Sequence, residues 1–136
     1  MWASIAMIDT DGMPYNVPVH IVHEGDNIYF RCTKEGFKTD CLKNNGNVCI
    51  VCVDNVKRIP ERFTTEYQSA NVIGVAEEDS DDGEKIHILK ILCERHVPTG
   101  MNIFDAEIKR SLYHTAIWKV KINDITGKCN KLRKEN

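Results

Sequence analysis

The feature that most constrains this chain is a succession of short alternating segments and tight-turn signals over residues 1–33. Residues 4–9 alternate as a strand, and Asp11-Gly12 is a hairpin signal, because Asp-Gly tolerates positive φ. Residues 14–23 read as the return strand, with Tyr15, Val17, Val19 and Ile21 on one face. Pro18 cannot donate to a ladder, so it marks an edge, a bulge or a place where a ligand approaches the backbone. After a turn at 24–27, residues 28–33 form a third strand. Ile28, Phe30 and Cys32 face one way, and Tyr29, Arg31 and Thr33 the other.

Beyond this hairpin series, residues 35–43 read as a short helix ended by Asn44-Asn45-Gly46. The strand 47–53 is apolar on both faces, so one face belongs in a core and the other under a helix or a partner subunit. A long strand spans 64–76. A helix over 84–96 carries the stripe Ile86, Leu89, Leu92 and Cys93. Pro98 and Gly100 break the chain before a further short helix at 104–113, and the last strand, 115–122, ends at the turn Ile125-Thr126-Gly127. Six strands with a few helices predict a mainly β, closed or nearly closed antiparallel barrel, one domain over residues 1–136.

No apolar run approaches the length of a membrane span, and the N-terminus lacks the basic flank and apolar stretch of a secretion signal. The expectation is a cytoplasmic protein with its six cysteines reduced. A net charge of −2 gives no reason to expect nucleic acid, and the basic tail 128–134 reads as a solvated end. Cys49 and Cys52 have C-x-x-C spacing, but three positions apart on a strand they face opposite sides and suit packing better than a shared metal. His20 and His23 fail as a chelating pair for the same reason, so no metal is expected.

The stretch with most chemistry is 31–38, Arg-Cys-Thr-Lys-Glu-Gly-Phe-Lys. It leaves a strand through Arg31 and Thr33, turns at Gly36 and enters a helix, with Lys34 and Lys38 nearby. Helix-start N–H groups, cations and a hydroxyl together suit a phosphate. A solvated basic turn is the plainer reading of the same residues.

Segments 6–20 (Ala-Met-Ile-Asp-Thr-Asp-Gly-Met-Pro-Tyr-Asn-Val-Pro-Val-His), 27–38, 42–48, 63–76 and 122–128 follow one another in a recognisable order and spacing. Together they resemble the FMN-binding split-barrel superfamily, the pyridoxamine 5'-phosphate oxidase-like proteins, in particular the subgroup related to nitroimidazole resistance. The resemblance implies a six-stranded antiparallel split β-barrel, and a homodimer with FMN at the subunit interface. It places the flavin ring along Val17, Pro18, Val19 and His20, and the phosphate at Arg31, Thr33, Lys34 and Lys38, with Cys32 between them. Ser69, helped by Gln68, falls at a ring-contacting strand position. Trp118 is either a flavin neighbour or a barrel-core aromatic.

The function implied is an FMN-dependent oxidoreductase that passes electrons from NAD(P)H to a small organic acceptor. The second reading is a non-catalytic FMN or haem carrier or sensor, with His20, His23 or His114 as conceivable haem ligands. Two departures accompany the resemblance: relatives carry a helix ahead of the first strand, and the subgroup commonly has His where this chain has Arg31. An arginine there offers a fixed fork of donors rather than a proton shuttle.

Overall fold

The computed structural model describes residues 1–132, and the end of the basic tail, including Lys134, lies outside them. Among the described residues, seven strands form one antiparallel sheet. They are β1 (Trp2–Ile8), β2 (Pro14–Pro18), β3 (Ile21–Glu24), β4 (Asn27–Thr33), β5 (Asn47–Ile59), β6 (Thr64–Asp79) and β7 (Thr115–Asn130). The helices are α1 (Phe37–Asn44), α2 (Asp82–His96) and α3 (Phe104–Ser111). The last two are inserted between β6 and β7.

The sheet order is β2-β1-β5-β6-β7-β4-β3, which puts β2 and β3 on opposite edges. Yet only Val19 and His20 separate them along the chain. Such a short link forces the two edges together, so the sheet rolls up on itself without a ladder across the seam. This corrects the expected six strands in a closed or nearly closed barrel: the described residues form seven strands, and the ladder is open. The single return strand predicted over 14–23 breaks into β2, which pairs with β1, and β3, which pairs with β4. Pro18 supplies the reason, since it has no N–H to continue a ladder. The Val19 N–H turns back to the Ala3 carbonyl at 3.0 Å.

A second correction concerns the C-terminal strand. Ile125, Thr126 and Gly127 do not form a turn; they pair with Val72, Asn71 and Ala70, and β7 runs on through Lys128. The first part of the supposed solvated tail is therefore strand. Asn123 is the extra residue of a bulge, because Ile73 pairs with Asp124 but Gly74 with Ile122. Gly74 is needed there: a Cβ would stand 2.3 Å from the Lys121 carbonyl oxygen.

Alternation decides what packs where. Ile28, Phe30 and Cys32 point into the barrel with Ile5, Met7, Ile50, Val72, Trp118 and Val120, where Phe30 is fully buried. The opposite face of β3, β4 and β7 (Val22, Tyr29, Ile117) packs under Ile88, Leu89 and Leu92 of α2 and Phe104 of α3. α2 starts cleanly because the Asp81 carboxylate accepts the Glu84 N–H at 2.9 Å. Covering the outer face of β4 is what sets α2 and α3 beside the Arg31–Lys38 turn.

Candidate functional site

The turn after β4 is held by short polar links. The Thr33 hydroxyl donates to the Glu35 carbonyl at 2.7 Å, and the Thr39 hydroxyl donates to the Thr33 carbonyl at 2.6 Å. The Cys32 thiol meets the Thr39 hydroxyl at 3.0 Å, and the Lys34 N–H donates to the His114 carbonyl at 3.1 Å. Gly36 caps α1 at φ 144°, a conformation that side-chain-bearing residues rarely adopt, and no side chain caps the first turn of that helix. The result is a tight corner in which Gly36 and Phe37, at the start of α1, line the same space as Arg31, Thr33 and Lys38.

That space is a cavity of about 880 Å³ between the turn and the two inserted helices. Arg31, Thr33, Gly36 and Lys38 form one wall; Leu89, Cys93 and Val97 with Ile103, Phe104 and Ile108 form the apolar opposite side. Tyr15 and Phe37 close it with an edge-to-face contact, centroids 4.9 Å apart. A cationic corner next to an apolar hollow of this size suits an organic ligand that carries a phosphate.

A second cavity of about 260 Å³ shares Arg31 and Lys38 and runs past Pro18, Val19 and His20 to His96 on α2. There the His20 and His96 rings lie parallel, 4.2 Å apart and within 4° of coplanar orientation. The His96 Nε2 meets the Ile21 carbonyl oxygen at 3.2 Å, which fastens the last turn of α2 to the barrel seam. Burial, with the nearby His96 and Arg31, holds the His20 imidazole below its usual range, so it is biased toward the neutral ring. Sequence reasoning gave His96 no place in a site. It lies 75 positions from Ile21, on a helix whose face shows nothing unusual.

The predicted residues thus divide into groups. Pro18, Val19, His20, Arg31, Cys32, Thr33 and Lys38 line these joined cavities. Val17 packs on the barrel core, and Lys34 lies 6.0 Å from the Tyr113 ring centroid, beside the turn. Trp118 is 3% exposed within the core and pairs with Phe30, so the structure gives it the core position. Gln68 and Ser69 sit elsewhere, opposite Asp54 and Val53 on one side and Cys129 and Lys128 on the other. Cys49 and Cys52 do face opposite ways: the Cys49 thiol reaches Asn71, while Cys52 packs on the core.

A family profile described as pyridoxamine 5'-phosphate oxidase matches residues 3–129. The chain belongs to this family. No curated protein matches it. Among solved structures, a Bacteroides thetaiotaomicron protein assigned to 5-nitroimidazole antibiotic resistance is 26% identical, with a TM-score of 0.73 over 93% of this chain and 75% of that one. An FAD and haem binding protein of Mycobacterium smegmatis is 19% identical, with a TM-score of 0.75 over 99% and 68%. A Listeria innocua protein assigned as a pyridoxamine 5'-phosphate oxidase is 16% identical, with a TM-score of 0.63 over 92% and 86%. The last two likenesses establish the shared fold. Among the described residues, no helix is long and apolar enough to cross a membrane.

Proposed function

We propose that this pyridoxamine 5'-phosphate oxidase family member binds FMN at the Arg31–Lys38 turn as a homodimer, and passes electrons from NAD(P)H to a small organic acceptor. The observation that carries the reading is the convergence of Arg31, Thr33 and Lys38 at the Gly36 corner, on the rim of an apolar cavity. Bound FMN would supply the redox chemistry. The chain's own contribution is positional: Arg31 and Lys38 neutralise the phosphate, the α1 N–H groups orient it, and α2 and α3 keep water from the apolar side.

Two further features support a dimer. Arg31 pairs with Ile117 on β7, whereas Ser69 pairs with Lys128 on the same strand. Eleven strand residues span roughly 35 Å of chain, so Gln68 and Ser69 meet the turn's ligand most readily from a second subunit. The outer face of β1, β5 and β6 is also unusually apolar, with Trp2, Val51, Ile73 and Val75 exposed. Covering that face with a second copy buries it and brings β6 of one subunit to the cofactor of the other.

Removing one charge-assisted contact costs roughly 1.5–3 kcal/mol, or about ten- to a hundredfold in affinity. Arg31→Ala is therefore expected to weaken FMN binding by that factor in a fluorescence titration. Unchanged affinity would remove Arg31 from the site. FMN that binds but is never reduced by NADH or NADPH would leave the chain a carrier or sensor instead.

A further inference from the structure

We propose that the hollow under α3 is a second binding site, one that takes an uncharged, apolar organic molecule. It rests on the FMN reading above only for that molecule's role, the electron acceptor; the binding itself follows from the walls. The resemblance lays the flavin ring along residues 17–20, and Pro18, Val19 and His20 border the smaller cavity. None of residues 17–20 lines the larger one, about 880 Å³, which lies between the turn and the inserted helices. Small-molecule sites run to roughly 300–1,000 Å³, so this hollow holds far more than a phosphate at Arg31 and Lys38.

The inner face of α3 has too little protein beneath it. Phe104, Glu107, Ile108 and Ser111 follow the i, i+3, i+4, i+7 spacing of one helix face, and all four line the hollow. Yet Phe104 is the one buried residue of the helix. Around the same hollow, Phe37, Val97 and Ile103 stay 50%, 53% and 53% exposed. Single exposed apolar residues are ordinary, but several bordering one concavity form a patch that an apolar occupant would cover. The polar groups of the α3 wall are already engaged. Both Glu107 carboxylate oxygens accept from the Arg110 guanidinium, and the Ser111 hydroxyl donates to the Glu107 carbonyl at 2.7 Å. Arg31 and Lys38 hold the phosphate in the reading above. Among the described residues lining the hollow, no charge is then left to pair with an occupant. An ionised one would lose its hydration for nothing, whereas an uncharged apolar one gains by burial.

The test is equilibrium dialysis of the full chain, with and without saturating FMN, against phenylnaphthylamine, which is uncharged, and its anionic analogue anilinonaphthalene sulfonate. Wild type with FMN is expected to bind the uncharged probe at least about tenfold more tightly, because the sulfonate finds no partner. Ile108→Asp and Ile103→Asp each place a carboxylate on the wall and are expected to weaken that probe by about tenfold or more. Ile103 is half-exposed, so its variant folds even if Ile108→Asp does not. Ala106→Asp adds the same charge at an exposed position of α3 and should bind the probe as wild type does. Equal affinity for the two probes overturns the proposal, as does equal affinity of the Ile103→Asp and Ala106→Asp proteins for the uncharged one. So does loss of the uncharged probe on saturation with FMN, which would make the hollow part of the flavin's own site. A chain that binds the uncharged probe with this dependence on Ile103 but takes up no FMN refutes the cofactor reading alone.

Discussion

Asp79→Asn should make this protein more stable at neutral pH, and the gain should grow with pH. Asp79, at the end of β6, is 8% exposed. One carboxyl oxygen accepts the Asp81 N–H at 3.1 Å, while the other is buried without a donor. Its hydrogen-bonding neighbour is the Glu84 carboxyl, and two carboxyls can satisfy each other only by sharing a proton. Glu84 is the member that stays ionised: the Tyr29 hydroxyl donates to it at 2.9 Å, Lys119 stands 3.4 Å away, and the Tyr29 bond chiefly holds it below its usual range. Asp79 is pushed up, mainly by burial and also by the Glu84 charge. A carboxyl raised in the folded state favours folding least when ionised. The penalty is thus absent below the unfolded value and grows as pH rises through the folded one.

Asparagine keeps the acceptor for Asp81 and supplies the missing donor to Glu84 without a charge. The unsatisfied buried atom it replaces costs roughly 1–3 kcal/mol, which for a chain of this size raises Tm by about 3 °C per kcal/mol. The assay is urea unfolding of both proteins at pH 5 and pH 8. The gap should be narrower at pH 5 than at pH 8, where Asp79→Asn is ahead by that amount. A less stable variant at pH 8, or a difference that ignores pH, would show that the shared-proton account is mistaken.

Other consequences follow from packing. Gly74→Ala places a methyl 2.3 Å from the Lys121 carbonyl oxygen and 2.8 Å from Val120 Cγ1, so β7 must shift; unfolding should come on the order of 2 kcal/mol sooner, and an unchanged midpoint would refute the close approach. Ile73→Asp alters an exposed residue, 48% accessible on the outer sheet face, and should leave a monomer's stability within about 0.5 kcal/mol. If that face is the dimer interface, sedimentation should show the variant as a monomer and the parent as a dimer; identical sedimentation of the two would exclude the face.

Much of this was legible in residue order because local rules sufficed. The facing of Ile28, Phe30 and Cys32 against Tyr29 and Arg31 follows from period-two alternation, and the 31–38 turn announces itself through Gly36 and its cations. What was not legible depends on partners distant in sequence. Pro18 signalled something irregular, but that it separates two strands on opposite sheet edges depends on β4, which claims β3. Thr126-Gly127 looks like a stop, yet long pairing with β6 overrides that local preference. His96 gives no sign of itself until α2 folds across the seam. The Asp79–Glu84 pair is close in sequence, yet it forms only because the start of α2 turns back onto the end of β6.

The most direct test of the central claim is the absorbance spectrum of the purified protein with added FMN, before and after anaerobic NADPH. The account predicts a protein-bound flavin spectrum, a melting temperature that rises with FMN, and loss of the oxidised flavin band once NADPH is added. A protein that stays colourless after FMN addition and desalting, with its melting temperature unmoved, would contradict it.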